Sequence, residues 1–89
     1  MAECKDEWFI YLIRCKGEHL YTGITTDVQR RLTEHQSGKG AKYLRGRAPL
    51  QLVFQQKVGS RSDALKMEAS IKKLPKAAKE EFIRTCQAI

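Results

Sequence analysis

The sequence has no long apolar run, no paired cysteines, little proline and few acids. Its longest apolar-rich stretch, Trp8 to Ile13, is six residues. A transmembrane helix needs about 20, so no membrane span is expected, and no signal peptide opens the chain. Cysteines stand only at 4, 15 and 86, with no C-x-x-C and no Cys/His cluster. Structural zinc takes four ligands in close pairs, which excludes it. A disulfide framework is excluded too, and that usage points to a reducing cytoplasm. Cys15 reads as a small apolar packing residue rather than a reactive thiol. Two prolines and six glycines among 89 residues, with 42% hydrophobic, exclude a disordered chain. The length suits a single domain, 1–89.

What the sequence has in excess is positive charge. Seventeen Lys and Arg stand against ten Asp and Glu, for a formal charge of +7. The distribution is uneven. Residues 1–27 hold three basic and five acidic side chains, whereas residues 28–89 hold fourteen and five. Gly38 to Arg47 reads GKGAKYLRGR, with four cations, three glycines and no anion. Such a balance suits a polyanionic partner, although charge alone does not require one.

Trp8 to Cys15 (WFIYLIRC) is rich in β-branched and aromatic residues and predicts a strand. Both parities are largely apolar, which predicts a central strand buried on both faces. Lys16-Gly17-Glu18 predicts a turn, and His19 to Thr25 its antiparallel partner. Thr26 or Asp27 caps a helix running to about Gln36, with Val28 and Leu32 as its apolar stripe. Gly38 to Pro49 reads as a loop, and Leu50 to Val58 as a third strand. Ser60 caps a helix over Arg61 to Leu74, striped by Ala64, Met67, Ile71 and Leu74. After Pro75, Lys76 to about Gln87 forms a third helix, striped by Ala78, Phe82, Cys86 and Ile89. The order β-β-α-β-α-α predicts an α+β fold, a three-stranded antiparallel sheet covered by helices.

Four features admit two readings each. Gly23, inside the second strand, marks either a bulge or a place where something approaches the backbone closely. Arg31 and His35, four apart on one helix face, form either a solvated polar face or part of a site. Glu68 falls on the core-facing stripe of its helix, where an unpaired charge is costly. It either pairs with Lys72 at i+4 or serves a metal or substrate site at the edge of the core. The Gly38 to Arg47 loop is either merely solvated or a polyanion contact.

Ile10-Tyr11, and ten residues later Tyr21-Thr22-Gly23, resemble the paired signature of the GIY-YIG nuclease superfamily. Asp27 to Leu32 followed by His35 looks like that family's first helix, and Glu68 sits where the family carries its metal-binding glutamate. The resemblance covers roughly residues 7–75, with the third helix, about 76–88, beyond it. It is closest to small stand-alone bacterial members and to the N-terminal domain of excision-repair incision subunits. Phe9 replaces the first glycine of the signature and Thr22 the middle isoleucine, and neither position supplies a reacting group. Thr25 and Thr26 stand where some members place a lysine, and no Asn matches the one some members carry, since the chain has none.

The resemblance implies hydrolysis of DNA phosphodiester bonds. Tyr11 and Tyr21 are then the base candidates. An ordinary tyrosine has a pKa near 10, so the expectation is that Arg31 lowers it and also clamps the phosphate. His35 becomes a phosphate donor or proton relay. Glu68 would hold one Mg²⁺ or Mn²⁺, and Gly23 would admit the substrate. Lys39, Lys42, Arg45 and Arg47 would reach phosphates while Tyr43 stacks on a base. No helix looks built to read a major groove, so binding would follow charge and shape. The expected partner is DNA rather than RNA, bound by a cytoplasmic monomer, with a protein partner for targeting. Two other functions fit the same sequence: a non-catalytic nucleic-acid-binding module and a basic adaptor for an acidic protein.

A shared site makes a demand on the hairpin. A two-residue loop would pair Cys15 with Glu18 and turn Tyr11 and Tyr21 to opposite faces. A three-residue loop pairs Cys15 with His19, sets Tyr11 opposite Gly23 and brings both tyrosines to one face. The three-residue loop, or a bulge that restores the same even register, is therefore predicted.

Overall fold

A computed structural model describes residues 7–40, 44, 46 and 49–86. Its elements are β1 (Trp8–Cys15), β2 (His19–Thr25), α1 (Val28–Gln36), β3 (Gln51–Gly59), α2 (Arg61–Lys72) and α3 (Lys76–Cys86). The strands form one antiparallel sheet in the order β2-β1-β3. The strand that is apolar on both parities is the central one, as its pattern requires.

The hairpin uses the three-residue loop. Cys15 pairs with His19, Ile13 with Tyr21 and Tyr11 with Gly23. The Glu18 amide donates to the Cys15 carbonyl at 3.0 Å, and Gly17 between them takes φ +84°. Glu18 itself lies at φ +65°, a left-handed conformation unusual for a residue with a Cβ. The β1–β2 register runs unbroken through Gly23, so the bulge reading of that glycine is set aside. The bulges lie instead on β3. Leu12 pairs with Phe54 and Ile13 with Leu52, which leaves Val53 as an extra residue. Val58 is the extra residue near the other end.

Alternation along β1 divides the core in two. Ile10 and Leu12 point to one face and pack with Val53, Phe54, Ile71 and Ile83 under α2 and α3. Tyr11, Ile13 and Cys15 point to the other, where Val28 of α1 and Leu44 of the connecting loop join them. Cys15 is packed there as a small apolar side chain, 3% exposed.

Element boundaries follow local chemistry. Asp27 caps α1 by accepting from the Arg30 amide at 3.1 Å. Ser60 caps α2 in the same way, from the Asp63 amide. β3 starts and ends one residue later than the sequence pattern suggested, within the usual latitude of element ends. Helix α2 stops two residues short of Leu74, because a residue before proline is biased away from helical backbone. The buried face of α3 also differs from expectation. Ile83 is the buried residue, and Phe82 is half-buried with its ring centre 5.0 Å from that of Phe54. Ile89 and the Cys86 side chain lie outside the described residues. An ion pair from Arg14 of β1 to Glu80 fixes this face. Burial disfavours the Glu80 carboxylate, but hydrogen bonds and charge from Lys76 and Arg14 outweigh it and hold its pKa below the ordinary value.

Candidate active site

The site forms on the α1 face of the sheet, around Tyr11. This residue is 2% exposed in the middle of the central strand. Gly23 is directly opposite on β2, and a Cβ there would stand 2.5 Å from the Tyr11 hydroxyl oxygen. The glycine is thus the space in which the phenol lies, which is the close-approach reading with the protein's own side chain as the visitor. Tyr21, two residues back on β2 and on the same face, is half-buried, with its ring centre 6.3 Å from that of Tyr11.

Helix α1 brings two more groups to this place. His35 Nε2 lies 2.9 Å from the Tyr11 hydroxyl, and its ring meets Tyr21 edge-on at 5.6 Å. At 2% exposure, His35 is not part of a solvated polar face, so that reading is corrected for it. One turn earlier, Arg31 hydrogen-bonds the Glu34 carboxylate at 2.9 Å, and its positive charge acts on Tyr11. Spacing i to i+4 on one helix stacks the two side chains over the same strand. Arg31 remains partly exposed, so its guanidinium spans from the phenol to solvent.

These contacts settle protonation at rest. Tyr11 is pushed up from 10.0 to about 12, first by burial and then by the neighbouring Tyr21, and Glu68 adds to it. Arg31 pulls the other way and loses. Arg31 thus lowers this tyrosine as expected, but the net shift is upward, because withdrawing the phenol from water costs its anion more than one half-solvated guanidinium returns. Burial, and then Arg31, also hold the His35 pKa below its ordinary 6.5. Both groups are thus neutral near pH 7. The 2.9 Å contact between the Tyr11 hydroxyl and His35 Nε2 is then a hydrogen bond between two neutral groups, each able to donate or accept.

Glu68 stands on α2, which packs against the other face of the sheet. Its side chain is 20% exposed, and Lys72 stands 3.4 Å away at i+4, the pairing anticipated from the sequence. Its charge is nonetheless felt at Tyr11. Among the described residues no three His, Cys, Asp or Glu side chains cluster as a metal cage. Glu68 therefore fits a magnesium-like ion only as a single carboxylate ligand, with water and substrate phosphate completing the shell. That is a usual arrangement for Mg²⁺.

Three further residues belong here that the sequence did not single out. A Cβ on Gly40 would stand 2.1 Å from His35 Nδ1, so the start of the basic loop is packed against the imidazole. Leu44 is 2% exposed and pins the loop into the Tyr11 core. Glu34, three residues after Arg31, orients the guanidinium, and only its i+3 spacing hinted at this. Of the basic loop itself, Lys39 is exposed. Lys42, Tyr43, Arg45 and Arg47 lie outside the described residues. No described helix is long and apolar enough to cross a membrane.

Residues 7–81 match the model of the GIY-YIG catalytic domain. The chain is 59% identical over 78 residues to a UPF0213 protein of Cronobacter sakazakii, covering 88% of this chain and 82% of that one. It is 58% identical over 76 residues to the UPF0213 protein YhbQ of Escherichia coli, covering 85% and 76%. The solution NMR structure of a UPF0213 protein from Bacillus halodurans superposes with a TM-score of 0.59 at 42% identity, over 89% of this chain and 84% of that one. That of an E. faecalis protein gives 0.66 at 39%, over 99% and 94%. The name UPF0213 states no reaction and no substrate.

Proposed function

Because the chain belongs to the GIY-YIG catalytic-domain family, we propose that it is a metal-dependent endonuclease that hydrolyses phosphodiester bonds of DNA. The observation that carries this reading is the convergence of Tyr11, Tyr21, Arg31 and His35 on one face of the hairpin, within electrostatic reach of Glu68. Binding alone does not call for a half-buried carboxylate beside a phosphate site, since without a cation it would repel the ligand.

Each residue then has a task suited to its environment. Arg31, partly exposed, clamps a phosphate oxygen and offsets charge as it develops. Tyr11 keeps its proton at neutral pH and acts as a fixed hydrogen-bonding group, held by His35. The task of accepting a proton from water falls to the phenolate form of Tyr21, the less buried of the two tyrosines. Glu68 would hold one Mg²⁺ or Mn²⁺, which when bound supplies positive charge at the leaving oxygen. The basic loop from Lys39 to Arg47 would track the backbone, giving recognition by charge and shape with steep salt dependence.

Wild type and Glu68→Ala are to be incubated with branched, single-stranded and duplex DNA in Mg²⁺, Mn²⁺ or EDTA. Metal-dependent nicking by the wild type, abolished in the variant, is the expected result. Equal background cleavage by both, with DNA binding retained, would leave a binding module on the same fold.

A further inference from the structure

The hydrogen bond between Tyr11 and His35 is enclosed at both ends by backbone that carries no side chain. At one end, a Cβ on Gly23 would stand 2.5 Å from the Tyr11 hydroxyl oxygen. At the other, a Cβ on Gly40 would stand 2.1 Å from His35 Nδ1 and 2.8 and 2.9 Å from Cε1 and Cγ. Gly23 belongs to β2 and Gly40 to the turn after α1, so two separate segments close on one pair of side chains.

The turn after α1 is built to deliver Gly40 to this place. The Glu34 carbonyl accepts from the amides of Lys39, at 2.9 Å, and Gly40, at 3.0 Å, and from the Ser37 hydroxyl at 2.9 Å. The Gly38 amide donates to the His35 carbonyl at 3.1 Å, and Gly38 reverses the chain at φ +85°. Four residues beyond Gly40, Leu44 is buried in the Tyr11 core. The two glycines of the turn serve different needs. Gly38 lies in left-handed backbone with open space where a Cβ would stand, so conformation requires it. Gly40 lies outside that region, so what its lack of a side chain supplies is room for the imidazole.

His35 is thereby engaged on both edges. Nε2 meets the Tyr11 hydroxyl at 2.9 Å, Nδ1 faces the Gly40 backbone, and the residue is 2% exposed. We infer that Gly40 is a positioning residue for the reaction: it lets the turn close on His35, fixes the imidazole against the Tyr11 hydroxyl and confines His35 to acting through Tyr11 rather than on the phosphate. The inference rests on the endonuclease reading and deepens it.

Gly40→Ala, Gly38→Ala, His35→Ala and the Gly40→Ala/His35→Ala double variant are to be compared with wild type. NMR titration of the imidazole ring protons follows His35, with the exposed His19 as internal reference. Burial and Arg31 hold the wild-type His35 midpoint below 6.5. In Gly40→Ala the displaced ring meets water and its midpoint should rise toward 6.5. Gly38→Ala should lose stability to backbone strain yet titrate like wild type. In urea unfolding, Gly40→Ala should destabilise the wild type but cost little in the His35→Ala background, where the space is open. In nicking assays Gly40→Ala should lower kcat by about 10²-fold with the KM for DNA unchanged, and the double variant should be no slower than His35→Ala. An unmoved His35 midpoint in Gly40→Ala, an equal shift in Gly38→Ala, an equal unfolding cost with and without the imidazole, or a moved imidazole with wild-type kcat overturns the positioning role and leaves the endonuclease reading standing. A wild type that cuts no DNA overturns the endonuclease reading and the role in the reaction with it, while titration and unfolding still decide whether Gly40 holds the imidazole.

Discussion

At the scale of single residues, the site is held by volumes and protonation states. A methyl group at position 23 would overlap the Tyr11 hydroxyl, and the phenol has no room to retreat in a packed core. Gly23→Ala should therefore cost about 1–3 kcal/mol, the usual penalty of overpacking, measured by urea unfolding. It should also cut nicking at least as deeply as Tyr11→Phe. His35 gives a pH prediction. Its pKa is lowered in the folded state, so as pH falls below about 6.5 the unfolded chain takes up the proton first. Stability must then fall with pH in that window. Melting curves should show this loss in wild type relative to His35→Gln, in which the group no longer titrates. The family resemblance pointed to Tyr11, Tyr21, Arg31 and His35, which the structure brings together, whereas spacing alone left Arg31 and His35 open between a solvated face and a site. The sequence did not reveal the protonation of Tyr11, because the balance between burial and a nearby cation depends on how deep the phenol lies. Nor did it reveal Gly40, whose role depends on a loop turning back onto an imidazole.

At the scale of elements, the hairpin loop decides the site. Placing both tyrosines on one face needs an even register, and the loop achieves it with Gly17 and Glu18 both at positive φ. Glu18 is the less suitable of the two. A residue with a Cβ in that conformation costs about 1–2 kcal/mol relative to glycine, and the exposed contact of Glu18 with Arg14, at 3.7 Å, offsets little of it. Glu18→Gly should accordingly raise the melting temperature without altering the β1–β2 register, read from cross-strand NOEs. The strands, their central member, the helix caps and the sheet order around β1 were legible because they rest on local pattern and hydrogen-bonding chemistry. The β3 bulges were not. An extra residue such as Val53 is set by its pairing to β1 and looks like any other apolar residue in the run.

At the scale of the molecule, Leu44 joins the basic loop to the core. It is buried beside Tyr11, Ile13 and Val28 within a segment that reads in sequence as solvated. Leu44→Ala should cost about 2–5 kcal/mol by denaturant unfolding. If the loop contacts DNA as proposed, it should also weaken DNA binding, because the Leu44 anchor of the loop in the core is lost. The depth of Tyr11 has a further consequence for how relatives of this chain should be read. Its ring is core as much as site, whereas Arg31 and Glu68 remain partly exposed. On the proposed reaction, a lineage that kept the fold but gave the reaction up would shed the arginine or the glutamate first, and would retain an aromatic ring at position 11 long afterwards. In a distant sequence the tyrosine pair therefore testifies to common ancestry, and the two partly exposed residues testify to whether the chemistry was inherited with it.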